Sequence, residues 1–125
     1  MNSHLSMREE TQRCIEEVRS ITGVVACALV SCEGLSVSEY FQRDRLPSSL
    51  FAAMSATVLA TADVVCSSVH VQRPSVITIT APDATILIVS VGEVALIAAV
   101  IDKSADLPTV QGQLSDMAAR IEEVA

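Results

Sequence analysis

Residues 46–72 constrain the fold more than any other segment, because they predict a helix of about five turns with no charged face. Asp63 is the only charged residue between Arg45 and Arg73, and Pro47 with the two serines after it supplies a start for the helix. A surface helix normally exposes lysine and glutamate to water. We therefore expect protein to cover two sides of this helix. A chain of this size easily covers one side with its own residues, so a second molecule is expected to cover the other.

The predicted helix has two flanks of different character, since successive side chains are rotated by roughly 100°. A bulky flank is predicted to pack on the protein's own sheet and consists of Leu50, Phe51, Met54, Val58, Ala62, Val65 and Val69. A small flank has near-heptad spacing and consists of Ser49, Ala53, Ala56, Ala60, Asp63 and Ser67. Alanine is the best helix former, so an alanine-rich flank does not by itself require a partner. The missing lysine and glutamate nevertheless favour close packing of two such helices from two subunits.

Composition and charge limit the class of protein. The chain has 125 residues, of which 50% are hydrophobic, and we expect one domain over residues 1–125 with a flexible start at 1–6. A net charge of −7 argues against binding to nucleic acid or anionic lipid. The first residues lack the apolar core of a signal peptide. Residues 86–101 are rich in β-branched side chains and predict two strands, so we expect a cytoplasmic protein without membrane insertion.

The hydrophobic pattern predicts the order α-β-β-α-β-β-β-α. Before the central helix, the pattern predicts a helix at residues 7–20 and strands at 24–31 and 35–42. After it, the pattern predicts strands at 75–80, 85–91 and 94–101 and a last helix whose first turn contains Pro108. The last two strands are apolar on both faces, so helices must cover both faces of the sheet. The alternating strand at 35–42 is predicted at one sheet edge, and the strand at 75–80 could form the other.

The strand at residues 75–80 is a second surface that is expected to bind another chain, because it could be an edge strand with unpaired backbone groups. It contains no charged residue, and Pro74 and Arg73 guard only its beginning. Pairing with a copy of itself across a two-fold axis would remove the exposed edge. The predicted dimer interface therefore combines the small flank of the helix with Val76, Ile77, Thr78, Ile79 and Thr80.

Residues that could support catalysis, a metal or a cofactor are few, and we predict none of these functions. No phosphate-binding loop is present, and no two cysteines have the C-x-x-C spacing of a zinc or redox site. Cys14, Cys27 and Cys66 are expected to be buried hydrophobic residues because their sequence neighbours are apolar. His70 is expected to be exposed or to cap the central helix rather than to act as a base. Glu39 lies on the apolar side of its strand. It is either a functional acid or a carboxylate at the end of the strand that water reaches, and we favour the second interpretation. A small-molecule-sensing α/β regulatory domain remains an alternative, although few aromatic and polar groups could line its pocket.

Several local patterns occur together with the uncharged helix and the closing amphipathic helix. They are Ile21-Thr22-Gly23-Val24 leading into Ala28-Leu29-Val30-Ser31, Glu33-Gly34-Leu35 in the first hairpin, and Ser90-Val91-Gly92 before the last strand. On these features the chain resembles the Roadblock family, whose founding members are dynein light chains, over about residues 15–124. The resemblance rests on pattern rather than on a catalytic signature.

The resemblance implies an α+β fold with a five-stranded antiparallel sheet, the first and last helices on one face and the central helix on the other. It further implies a homodimer or heterodimer in which third strands join into one sheet and central helices lie antiparallel. Several family members regulate or scaffold small Ras-like GTPases, and others link to dynein-type motors. The resemblance therefore implies a GTPase as the partner in this chain, and it implies no catalytic residues. Arg43, Arg45 and Arg73 lie near the ends of the central helix. An arginine that reaches a GTPase site is conceivable, but we expect exposed, solvated charges.

Overall fold

In the described part of the chain, helices and strands follow one another in the order that the sequence predicts. The computed structural model describes residues 3–41 and 48–124, with side chains from residue 9 onward. The elements are α1 (Ser3–Arg19), β1 (Val24–Ser31), β2 (Ser36–Phe41), α2 (Ser48–Ser68), β3 (Val76–Thr80), β4 (Ala84–Val91), β5 (Ala95–Asp102) and α3 (Leu107–Val124). The bounds match the prediction to within one or two residues, except that α1 begins at residue 3 instead of residue 7 and that α2 ends at Ser68, four residues before the end of the segment that predicts it. Pro47, Arg43 and Arg45 lie outside the described residues.

The five strands form one antiparallel sheet in the order β2-β1-β5-β4-β3. β1, β5 and β4 lie in the middle, and most of their side chains are buried on both faces because helices cover both faces. The edges are β2 and β3, as predicted. The sheet therefore presents two strands that have a hydrogen-bonding partner on one side only.

Separate clusters of apolar side chains fill the two faces of the sheet. The larger cluster joins α1 and α3 to one face and includes Cys14, Val18, Leu29, Leu87, Ile97, Leu114, Met117 and Ile121. The smaller cluster joins α2 to the other face and consists of Ala28, Val30, Ala52, Leu59, Ile88, Leu96 and Ala98. This arrangement confirms the fold that the resemblance implied.

An ion pair holds α1 against α3 at the surface of the larger cluster. Arg120 donates two hydrogen bonds to Glu17, with nitrogen–oxygen distances of 3.0 and 2.7 Å. The hydrogen bonds from Arg120 hold the pKa of Glu17 below its ordinary value. Glu17 is 40% exposed and Arg120 38% exposed, so solvent screens this pair, and its role is to fix the position of one helix on the other.

His70 follows the end of α2 at Ser68 by two residues and adopts a left-handed backbone with φ of 61°. The His70 N–H donates to the Ser67 carbonyl, and the Val71 N–H donates to the Cys66 carbonyl at 2.9 Å. These two bonds form a Schellman motif, in which the residue with positive φ stands just beyond the helix and is usually glycine. His70 is exposed, so the prediction that it is an exposed or capping residue is confirmed.

Candidate protein–protein interface

α2 contacts the sheet through a side that the sequence analysis did not select. Its buried residues are Ala52, Ser55 and Leu59, which recur at the three- and four-residue spacing of one helix face. Ala52 and Leu59 pack against Ala28, Ala98 and three larger apolar side chains of the sheet. Small residues on both sides let the helix backbone approach the sheet closely. The prediction that the bulky flank packs on the sheet is therefore wrong for most of its members.

Most of the bulky flank lies on the exposed side of α2. Phe51 and Ala62 are half-buried, and Phe51 packs edge-to-face on Phe41 with ring centroids 6.1 Å apart. Leu50 is 56% exposed, Met54 52% and Val65 61%, although leucine, methionine and valine are usually buried. We define the outer face of α2 as the exposed residues opposite the sheet: Leu50, Met54, Thr57, Val58, Thr61, Val64, Val65 and Ser68. This outer face contains no charged residue.

The hydroxyl groups on the exposed side of α2 do not make it polar. Thr57 donates to the Ala53 carbonyl at 3.0 Å, and Thr61 donates to the Thr57 carbonyl at 2.9 Å. Ser67 and Ser68 bond in the same way to carbonyls three residues back. Because each hydroxyl already has a partner on its own helix, a protein surface could cover this side without leaving these donors unpaired.

The small flank lies partly against the protein's own first hairpin. Ala56 packs against the smaller cluster, and a Cβ placed on Gly34 would lie 3.3 Å from the Cα of Ala53 and 3.8 Å from the Cβ of Ala56. Gly34 has a φ of +88°, so glycine suits both its backbone and this close approach. The other residues of the small flank differ in burial: Asp63 is half-buried, and Ser49, Ala60 and Ser67 are exposed. The part that these positions play in a dimer stays a prediction.

By length and composition, α2 is the one helix of the described residues that could cross a membrane. Length and apolar composition are weak evidence for a membrane span, because core helices of globular proteins share both properties. Ala52, Ser55 and Leu59 of this helix are buried against the protein's own sheet. The remaining apolar surface of α2 is therefore that of a sheet-packed helix with one uncovered side.

β3 presents a regular and open edge. Its five residues pair with β4 without a register shift, and none is charged. The Ser90 N–H donates to the Ser75 carbonyl at 3.0 Å, and the Ala81 N–H donates to the Ala84 carbonyl at 2.9 Å. Hydrogen-bonded pairs alternate along an antiparallel ladder, so the backbone N–H and C=O groups at three positions point away from β4. These positions are Val76, Thr78 and Thr80.

β2 forms the other edge and is less suited to pairing with a further strand. Its register with β1 shifts between Leu29 and Val30, which places a bulge at the start of the edge, between Ser36 and Ser38. Bulges and charged side chains are the usual protection of an edge strand, and β2 also carries Glu39. β3 has neither. The open edge that invites a partner is therefore that of β3.

The other side chains that the sequence singled out do not form a chemical site. Glu39 is exposed and accepts a hydrogen bond from Ser36 at 2.8 Å, which confirms a carboxylate that water reaches. Burial raises the pKa of Cys14 to about 11 and that of Cys27 to about 12, so both thiols stay protonated and unreactive. Cys66 is half-buried. Arg73 is half-buried with a buried Nε, which corrects the expectation of a solvated charge at this position.

The described residues also offer no pocket that would enclose a metabolite. The cavity between α1, α3 and the sheet is apolar and measures about 10 Å³, which is at most room for one water molecule. Grooves beside α1 and beside β2 are wide and open to solvent. Within the same residues, no three side chains of His, Cys, Asp or Glu are grouped as metal ligands would be. The outer face of α2 and the β3 edge are the features that remain.

No family model matches the chain, and no curated protein sequence matches it. Several solved structures do match the chain. MglB in a tetrameric arrangement is 19% identical, with a TM-score of 0.85 over 94% of this chain and 88% of that one. The gliding protein MglB from Thermus thermophilus is 18% identical, with a TM-score of 0.85 over 94% of this chain and 89% of that one. A Roadblock/LC7 domain from Streptomyces avermitilis is 12% identical, with a TM-score of 0.74 over 89% of this chain and 93% of that one. The chain therefore has a Roadblock-type fold, which confirms the resemblance at the level of the fold.

Proposed function

We propose that this protein is a non-enzymatic, cytoplasmic, dimeric interaction module that binds or regulates a small Ras-like GTPase. The observation that carries the proposal is the pair of uncovered surfaces on one small domain: the uncharged outer face of α2 and the open edge of β3. The exposed sides of α1 and α3, by contrast, carry Arg13, Glu16, Asp116 and Glu123. Apolar surface concentrated on one helix is typical of a protein-binding surface.

Self-association is the first part of the proposal. Two copies that pair their β3 edges would form one continuous sheet and satisfy the backbone groups that point away from β4. Such pairing would also bring two α2 helices onto the same face of the joined sheet. The fold supports this part, because a solved structure of MglB with the same fold has a tetrameric arrangement.

The GTPase partner is the second part of the proposal, and it rests on the Roadblock resemblance. A fold by itself hosts many functions, so this part depends on an interaction experiment. Two α2 helices side by side would present a larger uncharged surface than one, and we propose that the GTPase binds the part of this composite surface that the contact between the two subunits leaves open. A switch protein that exposes apolar residues in one nucleotide state would then bind in that state alone.

Replacing Thr78 with proline should weaken self-association while leaving the fold intact. The Thr78 N–H points away from β4, so proline removes no hydrogen bond within the sheet, and proline is tolerated at such edge positions. Its ring would occupy the place of a partner strand. We expect a rise of at least roughly tenfold in the dimer dissociation constant, measured by sedimentation equilibrium, since a pair of backbone bonds is lost. Thr78→Ala keeps the N–H and should remain dimeric, and a wild-type monomer at micromolar concentration would overturn the dimer itself.

Capture from a lysate of the source cell tests the GTPase part. The immobilised wild-type protein should enrich a small nucleotide-binding protein from lysate loaded either with a non-hydrolysable GTP analogue or with GDP, but not equally from both. Thr78→Pro, used at a concentration at which the wild type is dimeric and the variant is mostly monomeric, should capture less of it if the composite surface is the binding site. Equal recovery with wild type and control, or no nucleotide-binding protein in either state, would contradict this part of the proposal.

A further inference from the structure

The outer face of α2 carries a thioether that oxidants in solution can reach. Met54 is 52% exposed, and Leu50 and Val58, one helical turn away on either side, are exposed as well. Met117, the other methionine whose side chain the structure describes, is 3% exposed and lies in the larger cluster between α3 and the sheet. A peroxide therefore has access to the sulfur of Met54 and not to that of Met117.

Oxidation converts this apolar side chain into one with a hydrogen-bond acceptor. The sulfur lone pair attacks one oxygen of hydrogen peroxide, the O–O bond breaks, and an S=O bond forms. Sulfur loses two electrons and the peroxide gains them, and its second oxygen leaves as water with both protons. The product, methionine sulfoxide, is polar, and thiol-dependent reductases convert it back to methionine.

The outer face of α2 offers no free donor to that acceptor once a protein covers the face. It contains no charged residue, and its threonine hydroxyls already donate within the helix, Thr57 to the Ala53 carbonyl and Thr61 to the Thr57 carbonyl. While the face is open, water hydrates a sulfoxide oxygen at Met54. Under a second copy of the same helix the oxygen would lose this water and stay unpaired, which is costly for a buried acceptor.

We infer that Met54 is a modification site, at which reversible oxidation to the sulfoxide controls whether a second copy of the chain covers the outer face of α2. The inference rests on the proposed dimer and adds the regulation of its contact. Coverage and oxidation exclude each other, because a helix that covers Met54 also keeps peroxide away from its sulfur. The reduced protein therefore associates, the oxidised protein associates more weakly, and reduction of the sulfoxide restores the contact.

Treatment of the purified protein with hydrogen peroxide tests the inference. Peptide mass spectrometry should locate an added oxygen at Met54 and none at Met117. Sedimentation equilibrium should then give a dissociation constant roughly tenfold or more above that of the reduced protein, since each copy contributes an unpaired acceptor. Methionine sulfoxide reductases for both epimers, with a thiol reductant, should restore the starting value.

The rate of oxidation supplies a second measurement. Met54 should be oxidised faster as the protein is diluted below its dissociation constant, because only the monomer exposes the sulfur. A methionine that is merely exposed, and that no second copy covers, would be oxidised at the same rate at every protein concentration.

Met54→Leu is the matched control, because leucine is apolar, has a similar volume and cannot form a sulfoxide. The variant keeps every cysteine, including the exposed Cys32, so an effect of thiol oxidation would appear in it as well. Its dissociation constant, whatever the starting value, should not change on peroxide treatment.

The outcomes separate the inference from the proposed dimer. A wild-type protein that is monomeric before oxidation overturns the dimer and the inference with it. A dimer whose dissociation constant is unchanged once Met54 is fully oxidised, or whose Met54 is oxidised at one rate at every concentration, overturns the inference and leaves the dimer standing. A Met54→Leu protein that peroxide dissociates as it does the wild type would assign the effect to another residue and also overturn the inference.

Discussion

Replacing Gly23 with alanine is expected to lower the free energy of unfolding by about 3 kcal/mol, because two separate costs combine. Gly23 has a φ of +95°, a conformation that side chains other than glycine rarely adopt. A Cβ at this position would lie 2.3 Å from the Cβ of Ala105 in the loop before α3. That loop cannot easily withdraw, since the Asp102 N–H donates to the Gly23 carbonyl at 2.7 Å. Urea unfolding followed by circular dichroism measures the loss.

Gly112→Ala is the matched control for Gly23→Ala. Gly112 lies in α3 with no atom within 4 Å of an added Cβ, so alanine there has open space. Alanine is the better helix former, and we expect a gain of about 0.5–1 kcal/mol. Both variants are compared at one protein concentration, because self-association would add to the apparent stability. A Gly23→Ala protein within about 1 kcal/mol of wild type would show that the loop adjusts, and our account of this position would then be wrong.

Introducing glutamate at both Met54 and Val64 should convert the protein into a monomer. Both side chains are more than half exposed, so the change is expected to alter the monomer's unfolding free energy by about 0.5 kcal/mol or less. In a dimer that covers the outer face of α2, the same carboxylates would be buried without partners. We expect the dissociation constant to rise by roughly a hundredfold or more, measured by sedimentation equilibrium.

Two further variants locate the contact on α2. Ala60→Glu places the charge on the exposed part of the small flank, whereas Ala56→Glu would disturb the packing of Ala56 on its own sheet. If Ala60→Glu dissociates the dimer and the Met54 and Val64 pair does not, the contact lies on the small flank and not on the outer face. Val94→Glu, at a side chain 53% exposed in the turn before β5, controls for the added charge and should leave the dimer unchanged.

The order of elements and the edges of the sheet could be predicted because they depend on local pattern. A strand covered on both faces is apolar at nearly every position, as in β1 and β5, and the alternation in β2 marks an edge. The amphipathic pattern of the last helix is a further example, since the apolar residues Val110, Leu114, Met117 and Ile121 lie on one face of α3 and are all buried. In each of these elements the apolar side and the buried side coincide.

In α2 the apolar side and the buried side do not coincide, and the prediction of its orientation was wrong for that reason. Periodicity distinguishes a helix's flanks by hydrophobicity alone, and α2 is uncharged all round except at Asp63. The choice between flanks then depends on what the sheet offers. Ala28 and Ala98 leave shallow space beneath the helix, which Ala52 and Ser55 fit and Met54 would not.

By itself, the sequence determined that this helix and the strand after it lack charges and that both have more apolar surface than one domain covers. It did so because charge and periodicity are properties of the chain alone. Only the tertiary structure decided which side of α2 is left uncovered and which backbone groups of β3 point outward. Both depend on how closely residues far apart in the sequence approach one another, here Ala52 to Ala98 and Ser75 to Ser90. The uncharged helix thus keeps its predicted role as a surface for a partner, with leucine, methionine and valine on its uncovered side.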